Sequence, residues 1–189
     1  MGGFLIPSGN GPLGDDMKHT ILAGALALFS IAGAAQAVTV TPISYTAPQG
    51  GSGSFAYRDD TYSGTSSGGI LSGGTGDLTN GVIASQNWFT TPGLYVGWLN
   101  SSPTITWVFD QAYRFNSMTF WFDDLNGAGA VRPPSRVVLT SAVGGGSYAV
   151  PDPTAGAPFP FIIDLSGYGA LSTFSTQLTP SSSWIMLSE

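Results

Sequence analysis

The residues able to do chemistry are few. Beyond residue 37 the chain has nine acidic residues, from Asp59 to Glu189, and four arginines (Arg58, Arg114, Arg132, Arg136). It has no histidine, lysine or cysteine there, because the one His and one Lys are His19 and Lys18. The usual general base, the commonest zinc ligand and the thiol nucleophile are therefore missing together. Carboxylates remain, and the pairs Asp59-Asp60 and Asp123-Asp124 raise the question of glycoside hydrolysis. That chemistry needs two carboxyl groups ~5 to 9.5 Å apart across one bond, whereas neighbours in a strand point to opposite faces. Asp123-Asp124-Leu125-Asn126-Gly127 reads instead as a strand end entering a turn. Serine is plentiful, but no histidine beyond residue 37 could activate it, and the glycine-rich loops lack the Lys of a phosphate-binding loop. The residues argue for a protein that is not an enzyme.

A binding site for sugars needs an aromatic face for the apolar side of a pyranose and polar groups for its hydroxyls. Trp88, Tyr95 and Trp98 lie in the long stretch between residues 81 and 103, and Arg132 follows the loop Gly127–Gly129. These four are the candidate ligand contacts; the competing reading buries each Trp at one end of the fold. Trp107 has a core-facing pattern, Trp121 is out of phase with its neighbours, and Arg136 reads as a solvated strand-end charge. An excess of five negative charges beyond residue 37 argues against a nucleic-acid partner.

Before any fold is built, the N-terminus must be set aside. Lys18, the apolar run beginning Ile21-Leu22-Ala23 and the small-x-small group Ala35-Gln36-Ala37 have the order of a secretory signal over residues 17–37. The run is shorter than the ~20 apolar residues of a membrane span. Residues 1–16 do not resemble a signal start and are read as a non-native extension before Met17. We expect a secreted protein whose mature chain begins near Val38, with no stable membrane span and no disulfides.

The elements that must position these residues are short alternating runs separated by Gly, Pro and Asn. Thr104–Phe109 puts Ile105, Trp107 and Phe109 on one face, and Ser117–Phe122 does the same with Met118, Phe120 and Phe122. Further strands are expected at Val38–Tyr45, Ser54–Arg58, Arg136–Thr140, Ser147–Val150, Phe159–Leu165, Phe174–Leu178 and Ser183–Ser188. Eight or nine strands with long connections predict an all-β domain over residues 38–189, a two-sheet antiparallel β-sandwich of jelly-roll type.

Several motifs in this order resemble a known family. The stretch from Ser72 to Trp88 contains Asp77-Leu-Thr-Asn80-Gly81, and is followed by Tyr95-Val-Gly97-Trp98, Pro103-Thr-Ile-Thr-Trp107, Met118-Thr-Phe-Trp-Phe-Asp123-Asp124 and Ser183-Trp184-Ile-Met-Leu-Ser188-Glu189. Together they are similar to the discoidin-like, galactose-binding-like domains of bacterial exported proteins of the PEP-CTERM-associated type. The resemblance implies a noncatalytic surface module that binds carbohydrate or exopolysaccharide. A structural envelope or biofilm matrix protein without a glycan ligand is the alternative, and a glycan hydrolase comes third. The PEP-CTERM sorting tail is absent, and the chain stops at Glu189 inside the expected last strand, which we read as a truncation that lowers stability. The resemblance also implies a structural Ca²⁺ held by a turn carboxylate, several backbone carbonyls and a closing-strand Glu, with Asn80 and Glu189 at the matching positions and Asp77 nearby as a substitute. Asn80 stands where the family usually has Asp, and Asp77 and Asn80 could equally make ordinary turn hydrogen bonds.

Overall fold

Ile105, Trp107 and Phe109 alternate along one face of a ten-residue strand, and in the computed structural model all three are buried. The structure describes residues 38–51 and 55–189. The expected signal helix and the 1–16 extension lie outside the described residues. Eleven strands are formed there, with only two short 3₁₀ turns, at Pro92–Leu94 and Ala128–Ala130. In chain order the strands are β1 (Ser44–Pro48), β2 (Thr65–Ser67), β3 (Ile70–Gly74), β4 (Val96–Leu99), β5 (Thr104–Tyr113), β6 (Ser117–Phe122), β7 (Arg136–Ser141), β8 (Gly144–Ala149), β9 (Phe159–Asp164), β10 (Leu171–Thr179) and β11 (Trp184–Leu187).

They make two antiparallel sheets. One has seven strands in the order β2-β3-β1-β5-β10-β7-β8, and the other has four in the order β4-β11-β6-β9. The fold is an all-β sandwich. Its main core joins Tyr45, Ile105, Trp107, Phe174, Leu139 and Leu178 of the large sheet to Trp98, Phe120, Phe122, Ile163 and Ile185 of the small one. Phe109 stacks on Phe174 with ring centroids 5.7 Å apart, and Trp107 meets Phe120 across the two sheets at 6.5 Å. A buried indole N–H must find an acceptor, and Trp107 finds the hydroxyl of Thr176 at 2.9 Å.

One strand is covered on both sides. β11 is four consecutive buried residues, Trp184-Ile185-Met186-Leu187. Ile185 and Leu187 face the main core, while Trp184 and Met186 belong to a second apolar cluster with Ala84, Tyr95 and Val131, flanked by Tyr57, Trp88, Leu94 and Leu99. The small sheet is thus packed on its outer face by loops. Gly97, opposite Met186 in the β4–β11 pairing, has no room for a side chain, since a Cβ there would overlap the sulfur of Met186.

The observed strands depart from the sequence expectations in several places, one being the unexpected β4. β1 starts at Ser44, not Val38, because Pro42 has no N–H for the ladder. The segment 55–58 has a bridge residue at Phe55 and no strand. It covers the edge of β4 instead, where the Gly97 N–H donates to the Tyr57 carbonyl. The β2–β3 hairpin, built from Ser, Thr and Gly, carries no apolar alternation. Its signal is the turn Gly68-Gly69, where both residues have positive φ, 58° and 78°, as a two-residue type I′ hairpin turn requires.

Candidate functional site

The second apolar cluster does not close completely. Phe55, Tyr57, Trp88, Gly129, Val131, Trp184 and Met186 line a cavity of about 160 Å³ that opens to solvent. Its rings meet at steep angles: Tyr57 to Trp88 at 83° with centroids 5.5 Å apart, Tyr57 to Trp184 at 86° and 5.3 Å, and Phe55 to Trp184 at 75° and 5.9 Å. Such edge-to-face contacts suit aromatic quadrupoles and stand Trp88 and Trp184 as walls against Tyr57, while Phe55 and Tyr57 lie nearly parallel, at 12° with centroids 6.4 Å apart. Phe55 forms the lip and is 55 % exposed. Phe89, 61 % exposed, continues the aromatic surface beside Trp88 at 6.2 Å. None of the seven lining residues is charged.

Trp88 is held in this wall by a buried carboxylate. Asp123 is inaccessible to solvent; its Oδ2 accepts the backbone N–H of Trp88 at 2.9 Å, and its Oδ1 accepts the side-chain amide of Asn87 at 2.7 Å. Burial raises the Asp123 carboxyl above the usual carboxylate range, while those two donors oppose the rise. Asp124 is equally buried and accepts the backbone N–H of Asn126 at 2.9 Å, which is the turn expected at this strand end. The burial of both acids is the feature that sequence reasoning did not supply. On its other side Trp88 abuts Gly129, whose φ of +63° and missing side chain allow the contact.

The four candidate ligand contacts separate by burial. Trp88, half-buried, lines the cavity. Tyr95 is fully buried beneath it and donates its hydroxyl to the Gln86 carbonyl at 2.8 Å. Trp98 is 3 % exposed, lies in the main core and donates its indole N–H to the Pro48 carbonyl at 2.9 Å. Neither ring offers a free face. Arg132 is next to the lining residue Val131, and its guanidinium lies over Gly127 and pairs with Asp152 at the surface. Phe55, Tyr57, Trp184 and Met186 were not among the expected site residues. Their signals were the same-side spacing of Phe55 and Tyr57 and the unbroken apolar run of β11, which marks a strand buried on both faces.

The structure brings Asp77, Asn80 and Glu189 to one turn, where each makes hydrogen bonds. Asp77 Oδ1 accepts the Thr61 hydroxyl at 2.6 Å and the Asn80 amide at 3.2 Å, while Asn80 Oδ1 accepts the Val82 N–H at 2.7 Å. Glu189 Oε2 accepts the Gly81 N–H at 3.1 Å, which ties the turn to the end of the chain. Among the described residues no cluster of three acidic, His or Cys side chains is disposed to hold an ion. The contacts of the turn are its own hydrogen bonds, with the Glu189 carboxylate brought to it at Gly81. Nearby, Asp59 is 3 % exposed and accepts the Asp77 N–H at 3.0 Å. Burial pushes its carboxyl up to about 6, an effect opposed by the Asp77 N–H and reinforced by the Asp77 charge.

The family model for the discoidin domain-containing receptor 1/2, DS-like domain, matches residues 42–151, more than half of the chain. The chain belongs to this DS-like family. A search of curated proteins found no match. The matched part of the DS-like domain holds Phe55, Tyr57, Trp88, Gly129 and Val131 of the cavity, and a discoidin-like domain fits a noncatalytic binding module. No helix among the described residues of this DS-like domain is long and apolar enough to cross a membrane.

Proposed function

We propose that this DS-like domain is a secreted or cell-surface module that binds carbohydrate or exopolysaccharide without transforming it. The observation that carries the reading is the aromatic cavity on the outer side of the small sheet. Four rings surround it, and one of them, Phe55, stands more than half exposed. An exposed ring adjoining an enclosed one is what a sugar needs, since its C–H face stacks while its hydroxyls stay in water. The cavity is about half the ~300 Å³ lower limit of drug-sized pockets, so it seats part of one sugar unit. Single sites of this kind are weak, and a surface displaying many copies of the domain would hold a repeating polysaccharide through many of them. The leader-like residues 17–37 support export.

Retention of the protein on immobilised polysaccharides tests this. Binding that falls in Phe55→Ala, with the fold intact, supports the reading. Self-association with no retention on any glycan would replace it with a structural matrix role.

A further inference from the structure

Resting on the glycan reading, we infer that the cavity selects a sugar unit carrying a methyl group, either the C6 methyl of a 6-deoxyhexose or the methyl of an N-acetyl substituent. The reasoning starts from the wall geometry. Tyr57 stands nearly perpendicular to both Trp88 and Trp184, and Phe55 stands steeply against Trp184, so the rings enclose a compact volume from several sides. A flat pyranose face cannot lie against all of them at once. A small rounded group can.

The chemistry of the floor agrees. Val131 and Met186 are fully buried there, and Trp184 is nearly so. The indole N–H of Trp88 is enclosed, with no partner among the described residues, and its atom has no accessible surface to offer a ligand. A hydroxymethyl group seated on Val131, Met186 and the ring faces would lose water without gaining a partner from those apolar surfaces. A methyl group loses nothing and gains dispersion contacts with the rings. The lining also lacks a carboxylate to balance a cation, so a neutral group suits it. About 160 Å³ is too little for a whole disaccharide, which leaves the rest of the glycan on the exposed Phe55 lip and on Phe89 beside Trp88.

The test uses matched monosaccharides on the full chain, with saturation-transfer NMR and tryptophan fluorescence as readouts. The pairs are D-fucose against D-galactose, L-rhamnose against L-mannose, and N-acetylglucosamine against glucose. The methyl-bearing member of at least one pair is expected to bind about 10- to 100-fold more tightly, with its methyl protons receiving the strongest transfer. Which pair discriminates tells the deoxy methyl from the acetamido methyl. Phe55→Ala should weaken that member and narrow the difference. Equal affinities within every pair, in a protein that still binds polysaccharide, would overturn the methyl selection and leave the glycan reading standing. Choline binding more tightly than every methyl sugar would overturn it in favour of a cation cage. Absence of binding to monosaccharides and polysaccharides alike would remove both.

Discussion

A Cβ on Gly129 would lie 2.6 Å from Cζ2 of Trp88, so the indole occupies the space a side chain would take. Gly129 also has φ +63°, a conformation that L residues resist. The loop that follows the small sheet therefore sets where one wall of the cavity stands. Gly129→Ala is expected to push Trp88 out of position and to cost about 1–3 kcal/mol of stability, from strain and overpacking combined. Chemical denaturation and near-ultraviolet circular dichroism check this. Full stability with an unaltered Trp88 environment would show that the glycine is dispensable.

Burial separates the aromatic variants that report on binding from those that report on folding. Phe55→Ala removes a ring more than half exposed and should change stability by under about 1 kcal/mol. Trp98→Ala should cost about 3–5 kcal/mol, because it opens the core and leaves the Pro48 carbonyl without its donor. Urea denaturation of the two variants checks the contrast, and equal losses would contradict it.

Acid strengthens this fold around Asp59. Its folded carboxyl titrates near 6 and its unfolded one near ~3.9, so the native state holds more protons between those values. Stability is full below the lower value and falls as pH rises through the upper one. Burial shifts Asp123 and Glu189 in the same direction. Asp59→Asn keeps an oxygen for the Asp77 N–H and removes the charge, and should gain roughly 1–3 kcal/mol at pH 7.5 relative to the parent, with little change at pH 4. A loss at pH 7.5 would mean that the ionised carboxylate is the form the fold uses.

The turn at Asp77 and Asn80 is closed by its own hydrogen bonds and by Gly81 to Glu189. Chelation with EDTA is accordingly expected to leave the thermal midpoint within about a degree. A drop of several degrees, restored by added calcium, would show that an ion binds there and contributes to folding.

The strands with clean alternation, β5 and β6, were legible in the sequence, because a period of two with Ile105, Trp107, Phe109, Phe120 and Phe122 has one reading in a half-buried sheet. The β2–β3 hairpin was not, since Ser and Gly carry no apolar period. Its only mark was Gly68-Gly69. β4 was not among the expected strands, since Gly97 interrupts its apolar pattern, although that glycine is what lets Met186 pack. Residue type alone could not tell Trp88 from Trp98. The difference comes from register: Trp98 pairs with Ile185 and shares its core-facing side, whereas Met186 and Trp184 turn outward to build the layer that holds Trp88. The cavity depends on that outer layer, which joins segments more than 120 residues apart, from Phe55 to Trp184. Local patterns contain no trace of such a juxtaposition.

The most direct test is a tryptophan-fluorescence titration of three proteins with a panel of soluble polysaccharides: the parent, Phe55→Ala, and Ser66→Ala on the exposed hairpin far along the other sheet. The cavity's role predicts saturable binding by the parent and Ser66→Ala to the same glycan, with affinity at least about tenfold lower in Phe55→Ala. Equal affinity in all three proteins would contradict it.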